Sequence, residues 1–447
     1  MASSRNRGLH LFANGQHVGE WRVPARGPVQ LVYDPAWLAD AEAWPLSNSL
    51  PFDLDGRAIW SERINFYFDN LLPDSTHIRK RLQLKFAAAS DEAFDLLDAI
   101  GRDCVGALQL LREGDAPQGV HAIDVEPLDE AGVEQVLLAA ASDHAFGGPG
   151  IDGGDELRIS IAGAQEKTAL TFHEGRWCKP RGATPTTHIF KLPLGLVGNR
   201  RADMTSSVEN EWLCARLLAA YGLPVASCEM GRFGGQKALI VERFDRELHP
   251  SGQYWLRLPQ EDFCQATGTP GFARYESEGG PGLIRIAEIL QGSQKRHEDL
   301  ATLMRAQLLF WMLAATDGHA KNFSLRILAR GRHQLTPLYD VLSFWPAVGS
   351  GASRLDAHEL KMAMALVGKN RHYGFETIVR RHFNTTARRC GLGNAMEGII
   401  EDVLARTPGA ITAVAAQLPA GFPAKVFDSI TGGLARMARK LEAMPRA

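Results

Sequence analysis

The sequence has 447 residues, 45% of them hydrophobic, enough for a sizeable buried core and for two or three domains or lobes. Lys and Arg total 49 against 51 Asp and Glu, a formal charge of −2, so general binding to nucleic acid or a membrane surface is excluded and any DNA contact must come from a local patch. The longest uninterrupted apolar run, Leu308–Ala315, falls well short of the ~18 residues of a membrane span, and no secretory pattern opens the chain, so a soluble cytoplasmic protein is expected.

In chain order, the alternating stretch LHLFANGQHVGEWRV predicts a hairpin turning at Asn14-Gly15, where both residues tolerate positive φ. Residues 29–33 read as a further strand and 61–97 as a mainly helical region. The glycine-rich run FGGPGIDGGD at 146–155 offers no core face and marks the expected main boundary. Strands are then predicted at 157–161, 168–172, 187–192 and 238–243, with a helix from Ser207 to Tyr221 stopped by Gly222 and Pro224. From about Pro259 helices dominate, the last carrying Ile430, Leu434, Met437 and Leu441 at helical spacing. The plan is α+β: 1–150 an N-terminal subdomain, 151–258 strand-rich, 259–447 helical, with a cleft between the last two as the natural ligand site. The six cysteines (104, 178, 214, 228, 264, 390) show no CxxC and no paired spacing, and read as small buried hydrophobes.

Chemistry concentrates after the apolar helix ending at Ala315. In Asp317-Gly318-His319-Ala320-Lys321-Asn322 the Asp and Asn stand at the D-x-x-x-x-N spacing of a kinase catalytic loop: a carboxylate to orient and deprotonate a hydroxyl, and a neutral oxygen ligand for Mg²⁺. A short strand at 333–338 then delivers Tyr339-Asp340, a second carboxylate at the place of the kinase metal-binding Asp. From the residues alone Asp340 reads equally as a turn residue or the N-cap of a helix beginning at Val341. Asp-Val-Leu replaces Asp-Phe-Gly, so an ordinary protein-kinase activation segment is not implied.

Lys191, alone in a strand of β-branched and aromatic residues, is the candidate phosphate-binding lysine. Glu211 is preferred as its partner because it shares a helix face with Cys214, Ala215 and Leu218; Glu209 reads as solvated. The small-residue loop Ala162-Gly163-Ala164-Gln165-Glu166-Lys167 lets backbone N–H groups approach a phosphate, without the second glycine of a Walker A loop. The strand ending at Glu242-Arg243-Phe244 reads as a hinge whose backbone meets adenine, or as a plain core strand. Phosphate loop, strand Lys, helix Glu, hinge, Asp-x4-Asn and metal Asp follow the order of a protein-kinase-like phosphotransferase.

The runs FYFDNLLPDS, FDLLDAIGRDCVGA, RISIAGAQEKTAL, TPTTHIFKLP, VERFDR, RLPQEDFCQ, YESEGGPG, ATDGHAKNFS and LTPLYD, spread over most of the chain, resemble those of the HipA toxins, serine/threonine kinases of bacterial toxin–antitoxin pairs. The resemblance implies a protein-kinase-like two-lobed fold with a strand-rich nucleotide-binding lobe, a helical C-terminal lobe and an added N-terminal subdomain. It implies Asp317 as catalytic base, Asn322 and Asp340 as Mg²⁺ ligands, and ATP contacts from residues 162–167, Lys191, Glu242, Phe244, His319, Lys321, Asn322, Tyr339 and Asp340. Ser160 matches the serine that such toxins autophosphorylate, which ends activity. Family substrates include aminoacyl-tRNA synthetases, and the partner is a separate HipB-like helix-turn-helix antitoxin on operator DNA. The segment 368–389 carries Lys369, Arg371, Arg380, Arg381, Arg388 and Arg389 against one acid, Glu376. The resemblance implies operator contact there, chiefly by Lys369, Arg371, Arg380 and Arg381, whereas the composition reads equally as a solvated basic face. Two other readings compete: a small-molecule or lipid kinase on the same core, and a repressor subunit that has lost kinase activity, against which the intact Lys191, Asp317, Asn322 and Asp340 argue.

Overall fold

The computed structural model describes residues 6–53, 55–141, 159–163, 165–197, 202–351 and 354–446. The expected boundary at 146–155, the start of the strand at 157–158, and Ala164 lie outside them. The chain divides into two compact units: Met1–Leu192 with Gly231–Phe272 and Leu325–Arg332, and Pro193–Met230 with Ala273–Ser324 and His333–Ala447.

In the first unit, strands Arg7–Ala13 and Gln16–Val23 form the expected hairpin, with Asn14 and Gly15 at φ 48° and 86°. Positive φ at both central residues matches the right-handed twist of the flanking strands. Gln30–Tyr33 and Ile59–Trp60 extend this sheet on one side and Leu108–Arg112 on the other. The helical region resolves into Arg63–Asp69, Thr76–Lys85 and Ala93–Ile100; Ser75 caps the second by accepting from the Ile78 N–H. Their apolar faces meet the sheet around Trp21, which stacks on Phe68 (centroids 4.1 Å, 9° between planes) and receives Phe94 edge-on at 5.0 Å.

Five strands of a second sheet lie wholly in this unit, in the order Gln236–Glu242, His188–Lys191, Lys167–His173, Arg176–Pro180, Val125–Pro127. Helix Glu130–Ala141 covers one face: Val133 and Leu137 pack with Leu170, Phe190 and Ile240. Phe190 points into this apolar layer, so by strand alternation Lys191 points to the opposite face, paired across the strands with Lys167 and Leu239.

The second unit is mainly helical, built from Ser207–Ala220, Leu283–Leu290, Arg296–Met312, Arg380–Arg389, Met396–Ala415 and Ala424–Glu442. Ile430, Leu434, Met437 and Leu441 are all buried, as their spacing requires. The strand hairpin Lys361–Val367 and Arg371–Gly374 departs from the helices expected here. Its apolar run KMAMALV packs against helix Arg380–Arg389, and the polar Gly368-Lys369-Asn370 turn ends it before a helical period is established. The six cysteines are free and buried. Among the described residues no helix is long and apolar enough to cross a membrane.

Candidate active site

In the second unit, helix Arg296–Met312 is almost wholly buried over its last turns and stops where Ala314 takes φ 49°. Asp317 emerges exposed just beyond. The Asp317 carbonyl accepts from the His319 N–H at 2.8 Å and the His319 carbonyl from the Asn322 N–H at 2.9 Å, winding Asp317–Asn322 into one tight bend. Gly318 is required there: a Cβ would stand 2.5 Å from the Phe310 ring.

Asn322, 4% exposed, is brought beside Asp340: its Nδ2 donates to Asp340 Oδ2 at 3.2 Å and to the Asp340 carbonyl at 3.3 Å. Asp340 sits at φ 60° and no helix begins at Val341, so the N-cap reading is discarded; the backbone bend instead presents its carboxylate to Asn322. Tyr339 is tethered to the same bend, its hydroxyl donating to the Lys321 carbonyl at 2.9 Å and meeting Ser324 Oγ at 2.5 Å. His319 and Lys321 are both buried at 8% exposure.

Asn322 Oδ1 is a buried acceptor with no hydrogen-bond partner among the described residues. A buried lone pair beside a carboxylate suits a hard cation that takes oxygen ligands, so Asn322 and Asp340 fit Mg²⁺.

Two contacts here were not anticipated from the sequence. The Tyr275 hydroxyl donates to Asp317 Oδ1, and its ring lies edge-on to His319 with centroids 5.0 Å apart. Burial, then the neighbouring Asp317 charge, pushes the Tyr275 phenol above its ordinary range, keeping it a donor. Asn210, one residue before Glu211, clamps Ser343 on both backbone groups, donating to its carbonyl at 2.7 Å and accepting from its N–H at 2.8 Å. The segment after Asp340 is thereby fixed to helix Ser207–Ala220. Glu211 is buried at 5%; Glu209, expected to be solvated, is buried at 9%, because the first turns of this helix are enclosed all round.

In the first unit, Ser160 is fully buried and its hydroxyl donates to the Leu71 carbonyl at 2.7 Å. Ile159–Ser160 pairs in parallel with Asp103–Cys104, Gly163 bridges Pro73, and the Asp74 N–H reaches the Gly163 carbonyl at 3.2 Å. The FYFDNLLPDS run therefore backs the small-residue loop, a role its spacing does not announce. Within the loop, Lys167 Nζ holds the Ala162 carbonyl at 2.6 Å, Glu166 takes Arg81 through both oxygens, and the Gln165 side chain donates to the Leu192 carbonyl. Lys191 is 6% exposed.

Glu242 is exposed and Phe244 half-buried; Arg243 between them turns inward. Arg243 grips Asp245 through Nε at 2.9 Å and Nη2 at 2.8 Å, and Thr186 Oγ1 at 2.8 Å. Asp103 accepts from Thr186 N–H (3.1 Å), Thr186 Oγ1 (2.6 Å), Arg246 (3.1 Å) and Arg257. Burial opposes its ionisation, but Arg257, Arg243 and Arg246 outweigh burial and hold the carboxyl below the usual carboxylate range. Three separated motifs, GRDCVGA, VERFDR and RLPQED, thus converge on one buried ionic network that anchors the chain just after strand Gln236–Glu242.

On the basic segment, Lys369, Arg371, Arg381, Arg388 and Arg389 are exposed, and Arg371 Nε lies 3.4 Å from Glu276. Arg380 is not available for DNA: its side chain is 2% exposed and paired with Glu397 and Glu401, since as the first residue of its helix it faces inward.

The profile of the HipA-like C-terminal domain matches residues 159–411 and that of the HipA N-terminal domain matches 9–111. "Putative kinase Y4mE" of Sinorhizobium fredii is 36% identical over 343 residues, 75% of this chain and 77% of that protein. The serine/threonine-protein kinase toxin HipA of Shewanella oneidensis is 27% identical over 435 residues, 94% of this chain and 92% of that one. Among solved structures, the complex of HipA, HipB and operator DNA from Shewanella oneidensis shares the fold at TM-score 0.78 and 23% identity, covering 98% of both chains.

Proposed function

The chain belongs to the HipA family and is a kinase, and from that premise we propose that it transfers the γ-phosphoryl group of ATP to a protein serine as the toxin of a HipBA-type pair. The observation that carries the site is the Asn322–Asp340 pair, with its unpartnered buried oxygen, on the bend that exposes Asp317. Asp317 orients the acceptor hydroxyl and takes its proton as the hydroxyl oxygen bonds to the γ-phosphorus and the bond from that phosphorus to the β–γ bridging oxygen breaks, with ADP as leaving group. Tyr275 fixes the carboxylate oxygen to which it donates. Asn322 and Asp340 would hold Mg²⁺, which supplies charge neutralisation on the phosphates when bound. From the first unit, Lys191 and the backbone of residues 162–167 bind phosphates, and Glu242 and Phe244 offer backbone groups to adenine. Glu211 is the carboxylate assigned to Lys191, and His319, Lys321 and Tyr339 line the nucleotide side of the catalytic bend.

Ser160 is the proposed autophosphorylation site. Its hydroxyl is buried against Leu71, so the loop must leave that position before Ser160 can receive a phosphoryl group. The product carries ~1.5–2 negative charges and cannot return to a fully buried position, which removes the phosphate loop from use. The proposed protein target is an aminoacyl-tRNA synthetase, whose modification would stop charging and hence translation and growth. A HipB-like antitoxin, encoded separately, would recruit the chain to operator DNA as co-repressor, with Lys369, Arg371 and Arg381 as the candidate DNA contacts. The proposed division into 1–150, 151–258 and 259–447 assigns the nucleotide chemistry to the middle segment, the catalytic bend to the last, and puts the reaction in the bacterial cytoplasm.

Incubation with γ-labelled ATP and Mg²⁺ tests this. Label on Ser160, abolished by Asp317→Ala and by Asp340→Asn, is expected. Label on a small metabolite with none on protein redirects the reading to a small-molecule kinase, and failure to bind ATP overturns it.

A further inference from the structure

We propose that His10, His17 and Glu20, on the N-terminal sheet and apart from the kinase residues, form a binding site for one first-row divalent transition metal of the Zn²⁺ type. His10 lies on strand Arg7–Ala13 directly opposite Glu20 on Gln16–Val23. His17 and Glu20 are three residues apart and would face opposite sides of a regular strand. The register shift between Leu11 and Phe12, which pairs Phe12 with His17, removes that alternation, leaves Val18 in the core and turns His17 to the face of His10 and Glu20.

The three ligand atoms lie within 4.8 Å of one another. His10 Nδ1 is 2.9 Å from His17 Nε2 and 4.0 Å from Glu20 Oε1. Tetrahedral Zn²⁺ with nitrogens at ~2.0–2.1 Å places neighbouring donors about 3.3 Å apart, so both imidazoles already stand near the required spacing and the glutamate has to move closer to them.

The surroundings are arranged for the same purpose. His17 Nδ1 is 2.7 Å from Asp34 Oδ2, the carboxylate–histidine pairing that fixes a tautomer and leaves Nε2 as donor to a metal. Asp34 is itself held, its other oxygen accepting from the Ala36 N–H at 2.8 Å. Arg22 Nε engages Glu20 Oε2 at 2.6 Å, which leaves Oε1 turned to the histidines. With Nδ1–H of His17 given to Asp34, the proton between the rings belongs to His10 Nδ1. The metal takes that proton's place, forming bonds to His10 Nδ1, His17 Nε2 and Glu20 Oε1, while the displaced proton is carried on His10 Nε2, so both rings bind as neutral imidazoles. Two imidazoles and one carboxylate suit Zn²⁺, Ni²⁺ or Cu²⁺ and not Mg²⁺ or Ca²⁺. All three side chains are half-buried, so an aqueous ion can enter and a water can complete the shell.

Calorimetric titration of the full chain with ZnCl2 is the test. One equivalent is expected to bind. His10→Ala/His17→Ala should lose that equivalent while keeping its circular dichroism spectrum and its ATP-dependent labelling. Asp34→Asn should keep one equivalent at about 10–100-fold weaker affinity. Saturation with MgCl2 should leave the titration unchanged. Absence of saturable Zn²⁺ binding by the unaltered chain, an unchanged equivalent in the double variant, or unchanged affinity in Asp34→Asn would each overturn the proposal.

Discussion

Asp103→Asn offers the sharpest test of how the first unit holds the strand that ends at Glu242. The substitution keeps shape and volume, so no cavity is made, and removes one negative charge from a cluster of three arginines and two aspartates. Arg243 and Arg246 keep Asp245 at 2.8 and 3.1 Å, but Arg257, whose side chain is 3% exposed, loses the carboxylate it is paired with. An uncompensated buried charge costs about 3–5 kcal/mol; because Asp245 still serves two of the three guanidiniums, the loss expected is at the lower end, ~3 kcal/mol. Urea unfolding at pH 7, followed by far-ultraviolet circular dichroism, reads it as a fall in midpoint with unchanged slope. Since the folded carboxyl is held below its ordinary value, its stabilisation is present above the unfolded carboxylate range and lost as pH falls through the lower folded value. The difference between unaltered chain and variant should therefore be constant near neutrality and shrink in acid. Arg257→Met in the Asp103→Asn background should recover part of the loss, because the stranded cation is gone. ATP affinity should drop with the single variant, as Arg243 anchors the strand between Glu242 and Phe244. A cost under ~1 kcal/mol, or a difference that grows in acid, would refute the reasoning.

Three further outcomes are expected. Tyr275→Phe removes the donor to Asp317 while leaving the ring edge on His319; kcat should fall about tenfold, or ~1.4 kcal/mol, with KM for ATP unchanged, and a parallel loss of ATP binding would assign Tyr275 to the nucleotide instead. Glu261, buried and accepting from Asn48 N–H at 2.9 Å, is pushed up to about 8 by burial, so it binds a proton in the folded chain that the unfolded chain releases. Stability should decline between about pH 5 and 8, and Glu261→Gln should flatten that decline in a thermal-melt series. Arg381→Ala and Arg371→Ala should each weaken operator binding by the antitoxin complex and lower its salt slope by about 1, whereas Arg380→Ala should leave the slope alone and cost on the order of 2 kcal/mol of stability, discounted because Glu401 is partly exposed.

What could be read from the sequence differs between elements for physical reasons. The Asn14-Gly15 hairpin, the helix from Ser207 and the Ile430–Leu441 stripe were legible because each is governed by local periodicity or turn chemistry. Asp317, Asn322 and Asp340 were legible as a spacing, and the bend that joins Asn322 to Asp340 accounts for it. Arg380 was misread because composition shows that a segment is basic but not which of its side chains faces Glu397 and Glu401. The strand hairpin at 361–374 was missed because a short continuous apolar run has no period to separate strand from helix. Tyr275, Asn210 and Asp103 act on residues far away in the chain, and no local pattern encodes such pairs; for Tyr275 and Asp103 the signal was that YESEGGPG and GRDCVGA are polar where a plain core would be apolar.

The small-residue loop shows how these features combine into a switch on the proposed reading. Its docked position is held by Ser160 on the Leu71 carbonyl, Asp74 N–H on the Gly163 carbonyl, the pairing of Ile159–Ser160 with Asp103–Cys104, Gln165 on the Leu192 carbonyl and the Glu166–Arg81 ion pair. Ser160 is reached only from an undocked population in which its pairing with Cys104 is also broken. A phosphoryl group of ~1.5–2 charges makes re-docking against a fully buried carbonyl far more costly than the contacts recovered. The burial that hides the serine thus makes its modification one-way, and it rests in part on a backbone acceptor, Leu71, that no substitution of its own side chain removes.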